Sequence, residues 1–252
     1  MNAESKKNYR SFLKDSLRLE INFALTDQNK GIPAPPIQKT YLPNSKIIKL
    51  PSIDQCDEIN NIPLIAAIQN RMSRRVFKKN QAVSLEELAF LLWATQGIRK
   101  PINSSSAFRT VPSAGCRHSF ETYLAVSHIQ HLDQGIYRYL PIEHALVFEH
   151  EVINLSDRIS TAALNQTFIG KAPVTFIWTT IPYRMEWRYD LSAHRVIALD
   201  AGHVCQNLYL ACEAIDAGTC AIAAFHQEKM DQLIGVDGED EFVIYLAPVG
   251  KR

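Results

Sequence analysis

The sequence predicts an α+β fold, a mainly antiparallel sheet covered by helices. Three observations carry that prediction. Helical and strand signals mix along the chain without strict strand–helix–strand alternation. Two of the strand signals, "GIYRYLP" and "HALVFEH", meet near Pro141 as a hairpin. The longest helical signal, residues 192–217, is apolar on most sides and so is expected to be buried on most sides.

In chain order, residues 5–25 predict a charged amphipathic helix, with Phe12, Leu13, Leu17, Leu19, Ile21 and Phe23 as an imperfect apolar stripe. Residues 28–45, "QNKGIPAPPIQKTYLPNS", carry four prolines and predict an extended arm. Such an arm can cross its own domain, embrace a neighbouring subunit or stay a mobile leader. This divides the chain into a helix and proline-rich arm over 1–45 and a compact domain over 46–252. "INNIPLIAAIQNRMS" predicts a helix, and "SLEELAFLLWATQG" a second one. In the latter, Ser84 is the N-cap, Glu87 holds the capping-box position and Gly97 follows the last turn. Residues 98–116 predict a polar loop. Strands are expected in "FETYLAV", "APVTFIWTTI", "TCAIAAF" and "EFVIYLAPVG", and a short helix in "QEKMDQLIGV".

With 252 residues, 46% of them hydrophobic and 21% charged, the chain has ample material for one large domain or two small ones. Its formal net charge of +1 argues against a nucleic-acid binder that relies on a basic field. No apolar run reaches membrane-spanning length, and the start "MNAESKKNYRSFLKDSLRLE" is too charged for a signal peptide, so a cytoplasmic protein is expected. Five cysteines without a CxxC pair predict reduced thiols. HExxH is absent and His194 and His203 lack i,i+4 spacing, so no metal is expected.

Five stretches could carry chemistry. In "NRMSRRVF", residues 70–77, an extended backbone would turn Arg71, Ser73 and Arg75 to one side, two guanidiniums flanking a hydroxyl, a set suited to phosphate. The same cluster also fits a solvated basic helix end. "RTVPSAGCRHSFE", residues 109–121, offers small residues that let a flat ligand approach backbone, or equally a tight turn. "GTCAIAAF" can expose backbone N–H groups to a ring, or pack closely under a helix. "IPYRMEWRYD" interleaves aromatic and basic residues that could line a cleft, or snorkel from a surface helix. The tail "APVGKR" ends on Lys251 and Arg252, usually solvated.

Taken together, "RMSRRVF", "RTVPSAGCRHSFETYLAV", "RYDLSAHRVIALDAGHVCQNLYLACEAI", "GTCAIAAF" and "EFVIYLAPVGK" resemble the flavin-dependent nitroreductase superfamily, most closely its SagB-type dehydrogenase branch. The resemblance covers roughly residues 60–252. It implies an intertwined homodimer with FMN at the subunit interface, working as an oxidoreductase on a small organic substrate, with NAD(P)H as a possible electron partner. Arg71, Ser73 and Arg75 would hold the FMN phosphate and polar side chain, with Lys251 adding charge. Pro112, Ser113, Ala114 and Gly115, with Arg117, would approach the flavin, and the backbone at Ala223 and Ala224 would face N5. Helix 192–217 would pack in the dimer core. Azoline-oxidising members carry Lys-Tyr before that helix, where this chain has Arg188-Tyr189 as its catalytic pair. Arginine does not readily lose its proton, so base chemistry there departs from the pattern. The alternative is a flavin-binding, non-catalytic partner in a peptide-maturation complex. A generic α+β interaction domain without cofactor is the third reading.

Overall fold

A computed structural model describes residues 9–57, 59–79, 81–103 and 105–252. Strands β1 (Ile47–Lys49), β4 (Phe120–Val126), β5 (Gly135–Leu140), β6 (Ala145–His150), β7 (Val174–Thr180), β8 (Ala217–Thr219) and β9 (Phe242–Lys251) form one sheet, in the order β1-β6-β5-β4-β7-β9-β8. Every strand pairing within it is antiparallel, as the sequence predicts. β2 (Ile98–Asn103) and β3 (Ser106–Arg109) make a separate hairpin. The helices are α1 (Leu64–Asn70), α2 (Leu85–Gln96), α3 (Leu155–Ala162), α4 (Thr167–Gly170), α5 (Tyr183–Tyr189), α6 (Ala193–Glu213) and α7 (Gln227–Ile234).

β4 and β7 are buried along their whole length because both sheet faces are covered. On one face Leu124, Phe176 and Trp178 pack with Leu88, Leu91 and Leu92 of α2 and Val204 and Leu208 of α6. On the other, Tyr123, Ala125 and Ile177 pack with Leu155 and Ile159 of α3, Ile169 of α4 and Met230 and Leu233 of α7. Alternate strand residues thus feed two cores, as the strand's period of two requires.

α2 has the predicted ends. Ser84 accepts a bond from the Glu87 N–H (3.1 Å), Glu87 accepts from the Ser84 N–H (2.9 Å), and the Gly97 N–H closes on the Trp93 carbonyl (2.8 Å). Four expectations need correction. The helix expected over 5–25 is replaced, from residue 9 on, by one helical turn at 9–11 and two 3-10 turns, Ser16–Leu19 and Phe23–Leu25. Most of its stripe stays exposed, Leu13 at 70% and Leu19 at 89%, and only Ile21 and Phe23 are half-buried. A stripe that buries so little does not hold a helix together. The Asn22 side chain takes the Ala24 N–H and so caps a separate turn, Phe23–Leu25, instead of continuing one helix. Residues 98–116 are a hairpin and a short turn, not a loop. The strand expected over 219–225 ends at Thr219, and beyond it only Ile222 pairs, with Leu246. Finally, α6 is buried on one face only, and Leu199 on the other is 53% exposed.

The proline-rich segment crosses its own domain. Arg109 Nη2 donates to the Ile37 carbonyl (2.6 Å), and Arg138 donates to those of Lys39 and Thr40 (both 2.9 Å). Trp187 Nε1 donates to the Ile32 carbonyl (2.8 Å). Glu121 is the hub beneath it: buried, it accepts from the Lys39 N–H (2.8 Å) and pairs with Arg184 (2.5 Å) and Arg138 (3.7 Å). No helix is long and apolar enough to cross a membrane among the described residues. All five cysteines are free.

Candidate active site

α1 starts after Pro63 and stops at Asn70, and Arg71 turns to extended backbone (φ −55°, ψ 120°). The chain then runs beside β8. Ser73 bridges Thr219 in parallel, and the Arg74 N–H donates to the Thr219 carbonyl (2.8 Å). Extension sends alternate side chains to opposite sides. Arg74 lies down on Gly218, where a Cβ would come within 2.4 Å of its Cδ, so the close approach requires glycine. Ser73 hydrogen-bonds the Tyr209 hydroxyl (2.9 Å), and the Arg71 guanidinium sits 5.3 Å from the centre of the Tyr209 ring. Arg75 lies over Phe168 (5.9 Å). The Tyr209 hydroxyl also accepts the Ala221 N–H (2.8 Å), tying α6 to the segment that follows β8.

Among the described residues no carboxylate pairs with Arg71, Arg74 or Arg75. Two buried atoms beside them, Arg74 Nε and Thr219 Oγ1, have no hydrogen-bond partner. Ala223 and Ala224 are exposed, and neither N–H donates to another described residue, while the Ala224 carbonyl accepts from Gln166 (2.9 Å). Unpaired cations, a hydroxyl and free amides form a donor set for an oxyanion and a flat heteroaromatic edge, so these residues fit a flavin mononucleotide. The Lys251 ammonium is already engaged: it pairs with Glu87 and donates to the Ile215 carbonyl (2.7 Å).

The second group lies around residues 112–118. Ser113 Oγ accepts the His118 N–H (2.9 Å), and Asp200 Oδ2 accepts the Ala114 N–H (3.2 Å). Burial pushes the Asp200 carboxyl above its ordinary range, opposed by the bonds from Ser113 and Ala114. Gly115 (φ 57°) packs against the pair foreseen as catalytic: a Cβ there would lie 2.6 Å from the Tyr189 hydroxyl and 2.8 Å from Arg188 Cδ. Arg188 lies over the Tyr189 ring (5.6 Å). Pro112 and Gly115 are exposed. Arg117 is buried, stacked on Trp187 (4.7 Å) and donating to the carbonyls of Arg184 (3.0 Å) and Pro35 (3.3 Å). Its role here is to fasten α5 and the arm.

The two groups share no hydrogen bond, ion pair or ring contact among the described residues. Both are anchored on α6, at Tyr209 and Asp200, nine residues and therefore about 14 Å apart along the axis. Tyr209, Asp200 and Phe168 escaped the sequence reading. The one legible signal was Asp200, a carboxylate in the middle of the apolar face of a long helix.

The arrangement is an antiparallel sheet between helix layers, with a basic, small-residue group beside β8. The model of the Nitroreductase family matches residues 68–251, and the chain belongs to that family. A candidate nitroreductase of Methanocaldococcus jannaschii, MJ1384, is 30% identical over 200 residues, 79% of this chain and 96% of the relative. Among solved structures, a candidate nitroreductase from Ralstonia eutropha is similar at 25% identity and a TM-score of 0.67, over 87% of this chain and 98% of that one. The Escherichia coli microcin synthetase McbBCD complex with truncated pro-MccB17 has a chain of the same fold, at 17% identity and a TM-score of 0.61 over 85% of this chain and 78% of that one. Members of the nitroreductase family are oxidoreductases that generally use a flavin.

Proposed function

We propose that the protein is an FMN-dependent oxidoreductase acting on a small organic substrate, with NAD(P)H as electron partner. The observation that carries this reading is the pair Arg71 and Arg75, without carboxylate partners and set against Tyr209 and Phe168, with the Ser73 hydroxyl on Tyr209 and the free N–H groups of Ala223 and Ala224 beside them. FMN bound there would supply hydride transfer at N5. The chain's own residues bind and orient. Arg71 and Arg75 pair with the phosphate, Ser73 bonds the polar side chain, and the two alanine amides present donors to the ring edge. Lys251 adds positive potential, partly neutralised by Glu87.

The Pro112–Gly115 loop and the Arg188-Tyr189 pair reach the same flavin from a second copy of the chain. A homodimer is supported by the open face of α6 and by the exposed side chains Leu64, Ile65, Ile68, Met72 and Val76 around α1. Tyr189 holds an exchangeable proton. An arginine at 188 is suited to orient an anion or carbonyl, not to remove a proton. That favours reduction of an electron-poor substrate over SagB-type azoline oxidation.

The test is an absorbance spectrum of the purified protein, mass identification of the chromophore released on denaturation, and turnover of NAD(P)H. FMN together with NAD(P)H oxidation at about 1 s⁻¹ or faster is expected. FMN bound without turnover would favour the non-catalytic partner. A colourless protein that takes up no FMN would overturn the reading.

A further inference from the structure

Between Ile222 and α7 the chain has little sheet to hold it. Ile222 pairs with Leu246, and Ala223, Ala224 and Phe225 pair with no strand. Such a stretch keeps one shape only where other bonds fix it. Here the turn between α3 and α4 supplies them. The Gln166 amide nitrogen donates to the Ala224 carbonyl (2.9 Å) and to the Ala163 carbonyl (3.0 Å), and the His226 N–H donates to the Ala162 carbonyl (2.7 Å).

Both groups that face the Gln166 nitrogen are carbonyl oxygens, so both of its hydrogens are used and only one orientation of the amide fits. The turn itself is strained. Leu164 (φ 56°) and Asn165 (φ 62°) lie in the left-handed region, which asparagine tolerates and leucine rarely adopts. Strain of this kind persists where the surroundings over-determine a shape. The Leu164, Asn165 and Gln166 N–H groups close on the carbonyls of Thr161 (3.2 Å), Ser160 (2.9 Å) and Ala163 (3.2 Å), which holds the reversal. Two residues further on, the Phe168 ring carries Arg75 (5.9 Å). One short stretch, 164–168, thus meets both a site arginine and the chain that bears the free amides.

We propose that Gln166 is a positioning residue, which aims the Ala223 and Ala224 N–H groups at the edge of the bound ring. It rests on the reading of those amides as flavin donors. A carbonyl and the N–H that follows it share one rigid plane. Bonds at the Ala224 carbonyl and the His226 N–H therefore fix the chain directly after the two amides. Neither amide donates to another described residue, so their direction follows from how the chain leaves Ala224.

The test is Gln166→Glu in the full-length protein, which keeps the side chain's shape but at neutral pH offers no hydrogen to either carbonyl. Backbone amide exchange is read by NMR as protection factors, with and without FMN. Without FMN, His226 protection should fall about fivefold, the scale of one lost hydrogen bond. With FMN, the wild-type protein should gain protection at Ala223 and Ala224, and the variant should bind FMN without that gain. Its kcat for NAD(P)H oxidation should drop about tenfold with KM nearly unchanged. Lowering the pH to about 5 should restore part of the protection, because a carboxyl between two carbonyls titrates above its ordinary 4.3 or so. Equal FMN-induced protection in the two proteins would overturn the proposal and leave the flavin reading standing. Lost protection with an unchanged kcat would overturn it too, reducing Gln166 to a structural tie. A wild-type protein that takes up no FMN would overturn the flavin reading and the positioning role with it, while the His226 difference would still show the tie.

Discussion

Arg71 and Arg75 differ from Arg138 and Arg184 in what stands opposite their guanidinium groups. The latter pair converges on buried Glu121, whereas the former faces aromatic rings and no carboxylate. Residue type and spacing showed that 71, 73 and 75 would share a side. They could not show that Arg117, two residues past the small-residue loop, would turn inward onto Trp187. That depends on where α5 and the arm lie, which is long-range information. Arg71→Ala and Arg75→Ala should each weaken FMN binding by about 1.5–3 kcal/mol, roughly ten- to a hundredfold, as read by equilibrium titration. Unchanged affinity would remove these side chains from the site. His118 gives a pH prediction. Burial first, and then the Arg109 charge, hold its imidazole down to about 3 from an ordinary 6.5. The unfolded chain therefore takes up a proton near pH 6.5 and the folded chain does not until about pH 3. Stability should fall as pH drops through that window, by at most about 1.4 kcal/mol per pH unit for this group. Urea unfolding at pH 7, 6 and 5 should show a shallower dependence in His118→Gln, and identical slopes would exclude His118 as the source.

α2 was legible at both ends because its signals are local: a capping box and a glycine stop need only a few neighbouring residues. The β2–β3 hairpin was not. Its Ser-rich turn and Pro101 resemble loop composition, and its strands pair only with each other. α6 was read four residues too long, since it ends at Glu213 and Ala217 already belongs to β8, and its environment was not read, since apolar character specifies that a face is covered without naming the cover. Glu87 links α2 to the last strand, for its carboxylate both caps the helix and pairs with Lys251. Glu87→Ala therefore removes a cap and strands a largely buried ammonium. A loss of about 3–5 kcal/mol is expected, because breaking a buried pair costs more than the pair contributes. Chemical denaturation measures it, and a loss below about 1 kcal/mol would mean that Lys251 finds water or another partner.

The composition and strand patterning were enough for the α+β sheet, and the ordered motifs were enough for the family. What they left open was how the two residue groups, anchored at Tyr209 and Asp200 of α6, relate to each other. Light scattering of the flavin-loaded protein should give a dimer, and a monomer with FMN fully bound would contradict the two-copy site.

The arm also orders events in time. Its contacts span long stretches of chain: Ile37 with Arg109 across 72 residues, Lys39 with Arg138 across 99, and Lys39 with Glu241 across 202. During synthesis from the N-terminus, residues 37–40 emerge early and cannot dock fully until residue 241 is free. Protease protection of the arm in nascent chains of increasing length should appear only then. Protection at residue 150 would mean that Arg109 and Arg138 suffice. Until docking the arm waits beside unpaired strands, and its four prolines, lacking amide hydrogens, make it a poor partner for any of them.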